Sequence, residues 1–245
     1  MIISKIKVFK HAEQTARAVA DLIQEQSKQK QQLKEYYNIA LSGGSTPKLL
    51  FEIMATAPYV SSIAWDVIRL FWVDERCVAP DHVESNYKMT NEALLQHKLI
   101  KPENIFRMKG EAIPAEEALR YEELLKKELP LANGFPVFDL ILLGMGDDGH
   151  TASIFPDNMD LLHTNRAVET AMHPVSGQNR ITLTGKTINH AQQVVFLITG
   201  AGKATIVQTI LQKQPGSQQY PAAHVGNHNQ IAEFYLDEAA ASEIQ

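Results

Sequence analysis

The chain has 245 residues, 44% apolar and 21% charged, the balance of an ordinary globular protein. Its formal net charge of -5 argues against nucleic acid as a partner, and no stretch approaches the roughly 20 apolar residues of a membrane span. Cys77 is the single cysteine, which excludes an internal disulfide and fits a reducing, cytoplasmic setting.

In chain order, residues 1–9 alternate charged and apolar side chains and predict a strand, with no apolar run of the signal-peptide kind. A helix is expected to begin near Ala12, with the Gln- and Lys-rich run 24–34 as its solvated end. Apolar runs at 37–41, 68–73, 138–143 and 194–198 are too short for helices and rich in Val, Ile, Leu or aromatic residues, so they predict buried strands. Helical patterns occupy 47–57, 86–96, 115–127 and 203–212. Residues 233–236 predict a late strand, and Asp237 is placed to cap a final helix through 239–241. This alternation predicts an α/β protein with a mostly parallel sheet and helices on both faces. With no repeat and no linker, residues 1–245 read as a single domain.

Polar segments follow several strands directly, at the carboxyl ends where open α/β sheets bind ligands. In Ser42-Gly43-Gly44-Ser45-Thr46-Pro47, two glycines permit close backbone approach, two hydroxyls follow, and Pro47 suits a first helical turn. The segment is either an anion cradle of free N–H groups at a positive helix end or an ordinary capped turn. A negatively charged chain needs some such local device to hold a phosphate. In Asp74-Glu75-Arg76, three charges after a buried strand must pair or meet a ligand. Arg76 can grip a phosphate or carboxylate bidentately, or form an internal ion pair with one of the acids. Cys77 reads as a packed side chain.

Gly144-Met145-Gly146-Asp147-Asp148-Gly149-His150 matches the spelling of a dinucleotide loop, with Glu169 near the position of a ribose-binding acid. Two aspartates in the loop would repel a pyrophosphate, and Pro156 limits the helix that should follow. The glycines instead turn the backbone so that Asp148 and His150 face a cleft. An imidazole held by a carboxylate is a sound general base; a structural hydrogen bond is the plainer alternative. Arg180 begins another strand, and Lys203 opens a helix after Gly200-Ala201-Gly202. Either can reach an anion or stand solvated. No metal-ligand spacing occurs.

Taken together, 42–47, 72–76 with Ser85-Asn86-Tyr87, 144–156 and 180–184 strongly resemble the 6-phosphogluconolactonases, whose superfamily also holds the glucosamine-6-phosphate deaminases. The resemblance spans about residues 41–203. It implies a Rossmann-like three-layer αβα sandwich, no cofactor or metal, and a small-molecule substrate, 6-phospho-D-glucono-1,5-lactone, handled by a monomer or small homo-oligomer. It also implies His150 as catalytic base with Asp148 beside it, and Arg76 in the substrate site along with Asp74. The phosphate contacts it implies are Gly43, Gly44, Ser45, Thr46, Arg180 and Lys203. One departure separates the branches: Phe155 stands where the deaminases carry a ring-opening glutamate, and a phenyl ring cannot relay a proton. A non-catalytic sugar-phosphate sensor is the remaining alternative.

Overall fold

The computed structural model describes residues 5–226 and 232–244. The first strand appears as β1 (Lys5–Phe9); residues 1–4 of the expected 1–9 lie outside the described residues. Helix α1 (Ala12–Leu33) follows. His11 caps it by accepting the Gln14 N–H, and Lys34, at φ 59, ends it in the left-handed region. Its buried residues Thr15, Ala16, Val19, Ala20, Ile23 and Ser27 recur three and four apart, which puts them on one face. Ser27 is the one buried residue of the polar run 24–34.

Next come β2 (Tyr37–Leu41), α2 (Ser45–Met54), the short α3 (Tyr59–Ser62), β3 (Ile68–Trp72), β4 (Asp74–Arg76) and α4 (Asn86–Ala93). They are followed by β5 (Ile105–Phe106), α5 (Pro114–Glu128), a small hairpin of β6 (Leu131–Ala132) and β7 (Phe135–Pro136), and β8 (Leu140–Leu143). The last part holds β9 (Val168–Met172), β10 (Asn179–Leu183), α6 (Gly185–His190), β11 (Gln193–Ile198), α7 (Ala204–Leu211) and β12 (Ala232–Asp237).

The main sheet has seven strands in the order β1-β12-β11-β8-β2-β3-β5, and every pairing in it is parallel. Helices cover both sides. That is why β2 and β8 are buried at every position: strands covered on both faces read as continuous apolar runs rather than alternating ones.

A second, antiparallel sheet of order β4-β10-β9 stands beside it. Here the structure adds a strand over 74–76, which the sequence marked only as a polar segment after β3. Val73 N–H bonds Leu41 O of the main sheet, while Val73 O accepts Leu183 N–H, so the chain crosses between sheets at Val73. The strand was hidden because its alternating side chains are all charged. Asp74 and Arg76 face the cleft, and Glu75 turns inward, 2% exposed.

Helix boundaries shift by a few residues. The helix expected over 47–57 begins at Ser45 behind Gly44 and ends at Met54; that over 86–96 ends at Ala93. Lys203 closes a 3₁₀ turn (Ala201–Lys203) that leads into α7. The final helix through 239–241 does not form: 238–243 are turns. The Ala241 N–H reaches back four residues to Asp237 O, and one such bond does not offset helix nucleation. The Asp237 carboxylate is shared instead between the Ala240 N–H and the Gly200 N–H.

Candidate active site

The carboxyl ends of β2, β3, β8 and β11 surround a cleft of about 260 Å³. Gly43, Gly44, Ser45, Thr46, Asp74, Arg76, His150, Arg180 and Lys203 all line it, although they come from segments far apart in the chain. Asp148 lies behind His150 rather than in the wall.

One corner is the turn into α2. Gly44 adopts φ +111, a conformation that favours glycine. A Cβ on Gly43 would come within 1.8 Å of Asn86 Oδ1, so only glycine lets the turn lie against that side chain. Pro47 falls in the first turn of α2, where no intrahelical donor is needed. The leading N–H groups of α2 thus lie in the cleft wall without helical partners, beside the Ser45 and Thr46 hydroxyls. Thr46 Oγ1 is 2.8 Å from Thr199 Oγ1, which fixes the rotamer of the second hydroxyl.

The opposite corner is the loop after β8. Gly146 N–H donates to His150 O at 2.9 Å and Gly149 N–H to Gly146 O at 3.1 Å. The loop therefore closes on itself, and no helix follows, unlike a dinucleotide-binding turn. Gly149, at φ +74, packs so closely on the Tyr220 ring that a Cβ would sit 2.6 Å from it. This tight turn places Asp148 Oδ1 at 2.6 Å from His150 Nδ1 and 3.1 Å from its backbone N–H. A carboxylate at Nδ1 keeps the proton there and leaves Nε2 as the basic nitrogen. Phe155, fully buried, holds the imidazole from one side with ring centroids 4.7 Å apart.

Burial works to raise the Asp148 carboxyl, but hydrogen bonds from the His150 ring and backbone N–H outweigh it and bring the value to about 2. Because this lies below the ordinary value of 3.8, the contact stabilises the loop above that pH and is lost as pH falls through about 2. In a carboxyl-carbon NMR titration, Asp148 is expected to show its midpoint near 2 in the native chain and a higher one in His150→Ala. An unmoved midpoint would contradict the contact.

The third corner is built on β4 and β10, where Arg76 and Arg180 stand directly opposite each other. Asp74 is held by the Ser153 hydroxyl at 2.6 Å and lies 3.9 Å from the Arg180 guanidinium. The alternative of an internal acid–arginine ion pair is met for Asp74, but by Arg180; no ion pair joins Arg76 to Asp74 or Glu75 among the described residues. Arg76 Nη1 donates to Glu84 O at 2.6 Å, and Glu75 accepts backbone N–H groups. Both Arg76 Nε and Arg180 Nε are buried without a hydrogen-bond partner. Burial depresses the Arg180 guanidinium. Lys203 reaches the cleft from the far side, where its ammonium pairs with Asp147.

Asn86 and Thr199 are cleft residues to which the sequence reading gave no role. Asn86 Nδ2 donates to Asp74 O at 2.9 Å and supports Gly43, so it ties two corners together. Its signal was its place in Ser85-Asn86-Tyr87. Thr199 offered none beyond following β11 directly. No group of three His, Cys, Asp or Glu side chains is placed to hold a metal among the described residues, and no described helix is long and apolar enough to cross a membrane.

Comparison with known proteins gives a consistent result. The 6-phosphogluconolactonase of Haemophilus influenzae is 44% identical over 226 residues, covering 92% of this chain and 95% of that protein. The crystal structure of devB protein superposes with a TM-score of 0.93 at 41% identity, covering 99% of this chain and all of that one. The 6-phosphogluconolactonase of Trypanosoma brucei superposes with a TM-score of 0.85 at 28% identity over the full length of both. The family model described as glucosamine-6-phosphate isomerases/6-phosphogluconolactonase matches residues 10–234, and with relatives this similar along nearly its whole length, the chain belongs to that family.

Proposed function

We propose that this chain hydrolyses 6-phospho-D-glucono-1,5-lactone to 6-phospho-D-gluconate, the lactonase step of the oxidative pentose phosphate pathway, with His150 as general base. One observation carries the assignment of roles: His150, steadied at Nδ1 by Asp148 at 2.6 Å, opens onto the same cleft as the glycine-serine turn at 43–46.

The substrate phosphate rests on the N–H groups leading α2, the Ser45 and Thr46 hydroxyls, Arg180 and Lys203. That remote hold brings the lactone carbonyl carbon to His150. Nε2 takes a proton from water as the water oxygen bonds to the carbonyl carbon, and the carbonyl electron pair moves onto oxygen. Arg76, with no carboxylate partner of its own among the described residues, is the cation placed to meet that charge. The pair then returns, the bond from the carbonyl carbon to the ring oxygen breaks, and the proton on Nε2 passes to that oxygen. Asp148 holds the ring throughout and stabilises the transient imidazolium.

A deaminase reading meets Phe155, which is 1% exposed against the His150 ring and offers no atom to carry a proton; ammonia release from glucosamine 6-phosphate tests it. Stoichiometric sugar-phosphate binding without turnover would point to a sensor. A cytoplasmic setting suits the lone thiol, which burial pushes up to about 11, away from thiolate chemistry at neutral pH. The direct test is a pH-stat assay with freshly generated lactone, with spontaneous hydrolysis subtracted. In that assay Lys203→Ala is expected to raise KM with a much smaller change in kcat, because the phosphate is held in ground and transition states alike. An unchanged KM would remove Lys203 from the phosphate site.

A further inference from the structure

The ammonium of Lys203 is already occupied. Its partner is Asp147, whose side chain is 83% exposed while that of Lys203 is 22% exposed. Asp147 makes no other side-chain hydrogen bond or ion pair among the described residues, and it does not line the cleft. It stands on the same tight turn as Asp148, the residue that grips His150. The two adjacent aspartates thus hold different partners, Asp147 the Lys203 ammonium and Asp148 the His150 imidazole.

We infer that Asp147 is a specificity-determining counterion for Lys203 that competes with the substrate phosphate and sets how tightly phosphorylated ligands are held. The inference rests on the proposed placement of the phosphate at Lys203. A phosphate dianion entering the cradle of 43–46 meets an ammonium whose charge is partly spent on a carboxylate. The carboxylate and dianion repel each other at that range. Asp147 is anchored only through Lys203, so it gives way to solvent at little cost.

The consequence falls on the bound ground states. Holding substrate and product more tightly does not speed the chemical step, and the product of lactone hydrolysis carries a phosphate and a new carboxylate. A counterion that weakens the hold on the phosphate favours departure of that product, which carries one more negative charge than the substrate. It also keeps Lys203 aimed into the cleft when no ligand is present.

The test is calorimetric titration of the full chain with 6-phosphogluconate and, separately, with inorganic phosphate. Asp147→Asn is expected to lower Kd for both ligands about two- to five-fold at low salt, the range of a part-exposed ion pair. The gain should shrink at high ionic strength, where such pairs are screened. Asp147→Glu, which keeps the charge, should return Kd toward the native value, and Asp147→Asn should bring no gain in a Lys203→Ala background. The exposure of Asp147 makes misfolding of these variants an unsuitable explanation for tighter binding. Equal or weaker binding by Asp147→Asn, with Lys203→Ala weakening it as expected, overturns the counterion role alone. An unchanged Kd in Lys203→Ala overturns the phosphate placement and the counterion role together.

Discussion

Replacing His150 by Ala is expected to lower kcat by about 10²–10⁴, the usual contribution of a positioned general base, while 6-phosphogluconate still binds. The two parts of this result come from different ends of the cleft. The proposed phosphate contacts lie on α2, β10 and the turn before α7, whereas His150 touches Asp148 and Phe155. Its backbone bonds, His150 O to Gly146 N–H at 2.9 Å and His150 N–H to Asp148 at 3.1 Å, do not depend on the imidazole, so Ala leaves the turn closed. Activity measured against the spontaneous rate, with product binding measured in parallel, separates the outcomes. A near-native kcat would falsify the base assignment. Loss of binding together with kcat would mean that the loop, rather than the proton transfer, had failed.

The local parts of this site were legible in the sequence because each is a strand end followed by glycines. Gly43, Gly44, Ser45 and Thr46, and the loop from Gly144 to His150, lie where a buried apolar run stops, and the structure places both in one cleft. Pairs that join distant segments were not legible. Asp74 meets Ser153 across 79 positions and Lys203 meets Asp147 across 56, and nothing in a single sequence marks such partners. The β4 strand was missed for a related reason. Alternation of apolar and polar residues is the usual sign of a strand, and three consecutive charges erase it. What stabilises the inward-facing charge is a set of donors mostly from the start of α4, which begins eleven residues later. The second sheet rests also on β9, paired antiparallel with β10, which the sequence did not mark either.

That inward-facing residue supports the second large effect. Glu75→Ala is expected to destabilise the fold by about 3 kcal/mol or more, since each buried donor left without a partner costs roughly 1–3 kcal/mol. Glu75 Oε1 accepts the Arg76 and Asn86 N–H groups, each at 2.8 Å. Its Oε2 accepts the Tyr87 N–H at 2.8 Å and the Ser85 hydroxyl at 3.1 Å. Two of these N–H groups belong to the first turn of α4, which has no intrahelical acceptor for them. One carboxylate therefore pins the start of α4 onto β4. Burial pushes the Glu75 carboxyl above its usual range even though the three backbone donors pull it down, so burial works against the charge and the accepted hydrogen bonds offset that cost. Glu75→Gln tests that balance. The amide keeps one acceptor but turns an NH₂ toward two of the donors, and a loss between zero and that of Ala is expected. Urea denaturation reads both, as a lowered midpoint at constant slope. The same anchoring positions Asn86 under Gly43 and against Asp74 O, so Glu75→Ala should also weaken phosphate binding although Glu75 itself never faces the cleft. A variant with a native midpoint would show that water replaces the carboxylate without loss, and that α4 is held in place by its packing against α2 alone.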